Sequence, residues 1–236
     1  MRTALLAPIK PGLSMRIALL FLTCLVFTSL AAAQDSPIDL RRGDVERHAF
    51  GVWGGVSFAS PGWWGAVRER EVFIIGLRYR RTVSQSENAT VAYTMDVIPA
   101  AAVTNTPVRT RRFCCTSLPA ALRRNPDGET ERIEPSTAYG LGLAPFGLQL
   151  ELFRQNPVYL TLGGGGGLLL FDRDVPRLDT RKMNFTVTLN AGLRARVFED
   201  WELTFGYKFH HLSNAGTGTF NPGLDSNMLY LGWMRR

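Results

Sequence analysis

Residues 183–213 read MNFTVTLNAGLRARVFEDWELTFGYKFHHLS. In each half of this stretch, nonpolar side chains occupy every second position and mainly polar side chains occupy the positions between them. Such a period of two is typical of a β-strand with one apolar face. The break at Glu199 and Asp200 predicts a tight turn that joins two antiparallel strands. The apolar faces consist of Phe185, Val187, Leu189, Ala191, Leu193, Ala195 and Val197 in the first strand, and of Trp201, Leu203, Phe205, Tyr207 and Phe209 in the second.

The same alternation recurs along the chain and predicts eight strands. Their connections alternate between short and long ones, and this is typical of an outer-membrane barrel with periplasmic turns and longer extracellular loops. We therefore predict an all-β fold, an eight-stranded antiparallel transmembrane β-barrel of the outer membrane. The predicted strands are 47–58, 71–83, 90–103, 137–153, 157–171, 183–198, 201–213 and 226–235. The short connections are 84–89, 154–156 and 199–200, and the long ones are 59–70, 104–136, 172–182 and 214–225.

A soluble barrel that carries a lipid is the alternative, because alternation does not show which face points outward. Two features favour the membrane barrel. The strands are long enough to cross the hydrocarbon layer at a tilt. Aromatic residues also cluster near the ends of the segments, as they do at membrane interfaces. These residues are Trp63, Trp64, Tyr79, Trp201 and Trp233.

The composition is that of one folded domain. The chain has 236 residues, of which 45% are hydrophobic and 20% are charged, and its mean hydropathy is -0.02. A disordered charged tail and a protein with many helical spans are both excluded by these values. The adjacent Cys114 and Cys115 predict neither a disulfide framework nor a metal site.

The N-terminal segment has the pattern of a secretory signal peptide. Arg16 precedes an uncharged stretch at 17–30, and three alanines at 31–33 follow it. We predict cleavage after Ala33, which leaves residues 34–236 as the barrel domain; a membrane anchor is the alternative, but the apolar run is short for one. The mature chain then keeps 24 of the 27 basic residues against 20 acidic ones. This mild excess gives no indication of a nucleic-acid partner.

Two interruptions of the pattern predict local features of the barrel wall. At Pro145 the apolar positions change from odd to even numbers, and this predicts a β-bulge. The glycine run at 163–167 lies inside a strand pattern and lacks the Lys and Ser/Thr of a phosphate-binding loop. It predicts close packing in the wall.

The groups suited to chemistry concentrate at the end of the seventh strand. His211 and Ser213 share a face, and residues two apart on a strand are close enough for an imidazole to reach a hydroxyl. Asp225 has the parity of the outer face of the eighth strand, and an antiparallel hairpin would bring it beside His211. A base held by a carboxylate activates a serine nucleophile. The alternative is that residues 213–216 and 221–223 are ordinary turn sequences.

The stretch 206–216, GYKFHHLSNAG, followed by NPGLD at 221–225, resembles the C-terminal signature of the lipid A 3-O-deacylases, the PagL-like acyloxyacyl hydrolases. The resemblance implies an eight-stranded outer-membrane barrel that hydrolyses the ester at the 3-position of lipid A. It also implies a catalytic triad of His211, Ser213 and Asp225. Three departures are the Asp at 225, where the family pattern has Glu, the long predicted loop at 104–136, and the end of the chain, which lacks a terminal aromatic residue.

We therefore expect a serine esterase of the bacterial outer membrane that acts on lipid A of lipopolysaccharide among outer-membrane lipids, with neither metal nor cofactor. The expected oxyanion donors are the side chain of Asn214 and the backbone N–H groups near Ala215 and Gly216. Nucleic acid is not expected as a partner, and the sequence leaves open whether the chain forms a homodimer. A non-catalytic small barrel with a structural or adhesive role is the alternative from another class.

Overall fold

In a computed structural model of the chain, the structure describes residues 48–113, 129–198 and 200–236. These residues form eight strands. The predicted signal peptide, residues 1–33, and the two cysteines at 114 and 115 lie outside the described residues. The strands are β1 (His48–Ala59), β2 (Val72–Gln85), β3 (Ala89–Phe113), β4 (Glu129–Leu152), β5 (Val158–Val175), β6 (Arg181–Phe198), β7 (Trp201–Ser213) and β8 (Leu224–Arg235).

The strands form a closed barrel in sequence order. Each strand pairs antiparallel with the next, and β1 closes the barrel by pairing with β8, for example Val52 opposite Trp233. Closure leaves no edge strand in the barrel wall, which a wall in contact with hydrocarbon requires. The predicted fold class is confirmed. No helix in the described part of the chain is long and apolar enough to cross a membrane.

The apolar face of each strand points out of the barrel. On β6, Leu189 and Leu193 are 41% and 57% exposed, whereas the intervening Arg194 is 1% exposed. This orientation rules out the soluble lipid-carrier alternative, in which the apolar faces would line the interior.

The predicted bulge at Pro145 is confirmed. The register between β4 and its two neighbours shifts there, between Leu143 and Phe146 on the β5 side. The glycine run of β5 also packs closely, as predicted. A Cβ at Gly167 would lie 2.2 Å from the carbonyl oxygen of Leu143, so a larger residue would push the two strands apart.

The predicted bounds of two long loops, 104–136 and 172–182, are wrong, because the flanking strands extend into them. β3 and β4 continue as a paired ribbon from Thr106 opposite Ser136 to Phe113 opposite Glu129, so strands occupy most of the predicted loop 104–136. β5 and β6 likewise leave a connection of only residues 176–180. The alternation does not reveal these extensions, because the stretches 104–113, 129–136 and 172–175 lack a regular apolar face.

The interior has a polar part and an apolar part. In the polar part, the buried carboxylate of Glu151 accepts from Arg80 at 2.6 Å and from Arg194 at 2.8 Å, and Tyr159 donates to Glu202 at 2.7 Å. The apolar part is a cluster toward the end of the barrel at which β7 ends and β8 begins. It contains Trp53, Val67, Val72, Ile74, Ile98, Ala101, Val103, Ala138, Leu169, Phe171, Val175, Leu212, Leu224, Met228 and Tyr230. This cluster forms a firm support behind the outward-facing residues at the end of β7.

Candidate active site

His211 and Ser213 lie at the end of β7 on its outward face. The residues between and before them, Leu212 and His210, are 1% and 2% exposed and point into the barrel. Asp225 lies on the outward face of the adjacent strand, and the register places it directly opposite His211. The parity of the two strands and their hairpin pairing are thus sufficient to bring the three groups into one neighbourhood.

The imidazole of His211 is bonded to the carboxylate of Asp225. The distance from Nδ1 of His211 to Oδ1 of Asp225 is 2.6 Å. An ionised carboxylate can only accept hydrogen bonds, so Nδ1 is the donor of this bond, and in the neutral imidazole Nε2 then has the lone pair. This is the tautomer that a general base needs in order to take a proton from a serine hydroxyl.

The connection between β1 and β2, residues 60–71 and called the β1–β2 loop below, covers the carboxylate of Asp225. The second oxygen, Oδ2, accepts the backbone N–H of Trp64 at 2.6 Å and that of Gly65 at 2.9 Å. Asp225 is 0% exposed as a result. Asp225 thus lies on the outer face, as its parity predicts, and beneath the β1–β2 loop, which the sequence analysis did not predict.

The sequence did not reveal these two backbone donors, because periodicity carries no information on how a loop folds back. One signal was present, the glycines at 62 and 65 that flank the tryptophan pair. A Cβ at Gly65 would lie 2.7 Å from the backbone nitrogen of Leu224 and 2.9 Å from that of Asp225. Only glycine permits this approach of the loop to β8.

Further backbone bonds attach the β1–β2 loop to the segment that precedes β8. Ala66 donates its N–H to the carbonyl of Pro222 at 2.5 Å, and Val67 donates to that of Gly223 at 3.2 Å. Val67 also forms a parallel bridge with Leu224. The loop is therefore attached directly beside the carboxylate that it covers.

Two exposed tryptophans of the same loop pack on the outer face of β7. Trp63 stacks on Phe209, with ring centroids 5.2 Å apart. Trp64 contacts Phe209 edge to face at 5.2 Å and His211 edge to face at 5.5 Å. These rings form an apolar wall beside the imidazole, whose side chain remains 15% exposed.

The loop after Ser213 uses most of the donors that we expected to stabilise an oxyanion. The side-chain amide of Asn214 donates to the carbonyl of Phe220 at 2.6 Å, and its oxygen accepts the N–H of Gly216 at 3.0 Å. Asn214 is also buried, at 2% exposure. The amide of Asn214 and the N–H of Gly216 thus stabilise the turn. Among the expected donors, the N–H of Ala215 is the one that has no acceptor within the described residues.

Asn221 offers a donor that sequence reasoning missed. Its Oδ1 accepts the backbone N–H of Asn214 at 3.1 Å, so its NH₂ group points away from that bond. Asn221 is exposed, and this bond holds its amide at the residue that follows Ser213 in the chain. The hydroxyl of Ser213 forms no hydrogen bond with the described part of the chain, so it is free to turn toward His211.

Within the described residues, no group of three or more His, Cys, Asp or Glu side chains could hold a metal ion.

Positive charge lies close to the site. Arg181, at the start of β6, donates Nε and Nη2 to the carbonyl of Thr217 at 3.1 and 2.9 Å. In the β1–β2 loop, burial lowers the pKa of Arg70, with Glu69 opposing the shift and Arg177 adding to it.

A comparison with models of protein families finds a match over residues 75–234, to the model described as lipid A 3-O-deacylase (PagL). The match includes β3 to β7 and all three of His211, Ser213 and Asp225. The chain belongs to this family. It is therefore an ester hydrolase of the bacterial outer membrane, as expected, and the family is that of the lipid A deacylases.

Solved structures of small outer-membrane proteins are also similar to this family member. The outer membrane enzyme PagL is 15% identical, with 78% of this chain and 97% of that chain covered and a TM-score of 0.49. Neisserial surface protein A is 12% identical, with 80% and 96% covered and a TM-score of 0.43. The attachment invasion locus protein Ail of Yersinia pestis is 13% identical, with 80% and 95% covered and a TM-score of 0.34. No curated protein sequence matches the chain.

Proposed function

We propose that Ser213 is the nucleophile that removes the 3-O-linked acyl chain of lipid A, with His211 as its base and Asp225 as the acid that orients the base. The 2.6 Å bond between His211 and Asp225 carries this proposal. It fixes the tautomer in which Nε2 is the free acceptor, on the same face of β7 as Ser213.

In the first step, Nε2 of His211 takes the hydroxyl proton of Ser213 while Oγ attacks the ester carbonyl. The imidazolium that forms is stabilised by the carboxylate of Asp225, which lies within hydrogen-bond distance and accepts two further N–H groups. Three donors on one carboxylate favour its charged form despite burial. The bond between the acyl carbon and the 3-oxygen of the sugar then breaks, His211 protonates that oxygen to give the free 3-hydroxyl, and the acyl group remains on Ser213.

In the second step, water attacks the acyl-enzyme. His211 accepts a proton from the water, and a 3-hydroxy fatty acid leaves as Ser213 regains its proton. Both tetrahedral intermediates carry a negative oxygen. The donors left for it are the N–H of Ala215 and the NH₂ of Asn221, because the amide of Asn214 and the N–H of Gly216 bind within the loop.

The position of the site fits an ester at the boundary between sugar and acyl chains. Below His211, the outward residues of β7 and β8 include Phe205, Leu229 and Leu231, which are 44% to 56% exposed and suit an acyl chain in the outer leaflet. Above it, Arg181 has further N–H groups that bond to no acceptor in the described part of the chain, and these suit a phosphate of the glycolipid. Lipid A as the substrate thus agrees with the apolar and the charged side of the site.

Purified enzyme incubated with lipid A tests the proposal. We expect Ser213→Ala and His211→Ala to release no 3-hydroxy fatty acid, while both variants still show the heat-modifiable migration of a folded barrel on denaturing gels. Release at the wild-type rate from a folded Ser213→Ala variant would exclude this triad.

A further inference from the structure

The acid of the proposed triad is held from outside the barrel wall, by a segment that is remote in sequence. The neighbouring strand supplies one partner for Asp225, since His211 lies directly opposite and bonds to its Oδ1. Its second oxygen instead faces away from the imidazole and accepts from Trp64 and Gly65 at 2.6 and 2.9 Å. Both donors are backbone groups, which side-chain motion cannot withdraw.

We propose that the Trp64–Gly65 peptide segment of the β1–β2 loop is the positioning element of the triad, which sets the carboxylate of Asp225 against His211. This inference rests on the proposed function. A carboxylate on a short side chain has two torsion angles to fix, and one bond to His211 fixes neither fully. Two further bonds on the other oxygen define the plane of the carboxylate, and hence the direction of Oδ1.

The fit of the loop on β8 explains how this position is maintained. A Cβ on Gly65 would lie 2.7–2.9 Å from backbone atoms of residues 223–225, so the loop contacts the strand with no space to spare. Gly223 is also closely packed, because a Cβ there would lie 3.0 Å from Cε1 of His211 and 3.1 Å from the Cα of Gly65. The carboxylate, the imidazole and the loop therefore form one packed unit.

The outer end of this unit is attached through aromatic rings. Trp63 is 66% exposed, and its described ring contact is the stack on Phe209. Exposed indoles on the outward face of a barrel end favour the membrane interface. The membrane and Phe209 thus hold the loop at the same place where its next two peptide groups bind Asp225.

The decisive variant is Gly65→Ala, because the added methyl group must lift the loop from β8 without changing any charge. A displacement of about 1 Å in catalytic geometry lowers a rate about 100-fold, and we expect this loss in kcat with KM within twofold of the wild-type value. Gly54→Ala is the matched control. Gly54 lies on β1, and the nearest atom to an added Cβ is a carbonyl oxygen 3.9 Å away, so we expect wild-type kinetics.

Combination with Asp225→Asn separates positioning from general damage. Loss of the charge of a triad acid lowers kcat about 10⁴-fold. If Gly65 acts through Asp225, Gly65→Ala in the Asp225→Asn background has no more than about a threefold further effect. Losses that multiply in the double variant would overturn the proposal, because Gly65 would then act on something else.

Trp63→Ala serves as a second variant that leaves every backbone donor and the tight contact intact. We expect kcat to fall about threefold to tenfold, which corresponds to the interaction energy of one aromatic pair. In the Asp225→Asn background this effect on kcat should disappear again. All variants are made in the full chain, recovered from outer membranes and tested for heat-modifiable migration, with release of 3-hydroxy fatty acid from lipid A as the assay.

The outcomes distinguish this inference from the proposed function. If Ser213→Ala is inactive and folded Gly65→Ala and Trp63→Ala both keep kcat within threefold of the wild type, the positioning role is wrong and the triad stands. If Ser213→Ala is active, the triad is wrong and the positioning role fails with it. If Gly65→Ala does not fold, Trp63→Ala is the test. A Trp63→Ala enzyme with the kcat of the wild type would then overturn the inference.

Discussion

Asp225→Glu gives the sharpest contrast between the structure and the family resemblance. The family pattern has Glu at this position, so resemblance alone predicts that the longer acid is tolerated or even improves activity. The structure predicts the opposite. The carboxylate of Asp225 already lies 2.6 Å from Nδ1 of His211 and 2.6 and 2.9 Å from the N–H groups of Trp64 and Gly65.

The expected loss follows from the space around this carboxylate. Glu adds one C–C bond of about 1.5 Å to a side chain that is 0% exposed. His211 is held in the strand pairing of β7, and Gly65 of the β1–β2 loop packs directly against the backbone of β8, so the longer side chain must displace its own carboxylate or lift the loop. A carboxylate displaced by about 1 Å lowers the rate about 100-fold, and the overpacking lowers the free energy of unfolding by about 1–3 kcal/mol.

Release of 3-hydroxy fatty acid from lipid A measures the first effect, and urea unfolding followed by gel migration measures the second. Asp225→Asn is the reference, since it keeps the shape and removes the charge. We expect its rate to lie below that of Asp225→Glu, at about 10⁻⁴ of the wild-type rate. An Asp225→Glu enzyme as fast and as stable as the wild type would refute the reasoning from space.

Three further outcomes test other parts of the structure. Glu151→Gln should lower the free energy of unfolding in urea by about 3–5 kcal/mol, because it leaves the buried Arg80 and Arg194 without their shared carboxylate; no change would show that this network is not a source of stability. Leu189→Lys should lower the free energy of unfolding in urea by about 2–4 kcal/mol, since this side chain faces lipid at 41% exposure. An unchanged midpoint of urea unfolding would contradict the assigned outer face. Arg181→Met should raise KM for lipid A about tenfold, the value of one charge-assisted hydrogen bond to phosphate, and Arg181→Lys should lie between; equal KM values would exclude a phosphate contact at this residue.

The sequence was sufficient to predict the structure of those parts of the barrel that lie against lipid. An apolar face at every second residue is a physical requirement there, so the strands, their faces and the bulge at Pro145 could be predicted. The ribbon beyond Thr106 and Ser136 has no such requirement, and its strands were therefore interpreted as loop. Where the environment imposes no pattern, alternation carries no signal.

The site shows the same division. His211, Ser213 and Asp225 could be placed on one outward face because parity and hairpin pairing decide it, whereas their chemical roles stay a proposal. The cover over Asp225 could not be predicted, because it depends on backbone N–H groups of Trp64 and Gly65 that any residue type supplies. Asn214 is a third case, since its amide suits an oxyanion and a turn equally well, and the structure shows it bonded within the turn.

Mass spectrometry of lipid A tests the central claim most directly. Cells that produce the protein are compared with cells that produce a folded Ser213→Ala variant and with cells that lack it. We expect the wild-type protein alone to convert lipid A to a form lighter by one 3-hydroxyacyl group, lost from the 3-position. Identical spectra from all three, or the same loss with Ser213→Ala, would contradict the account.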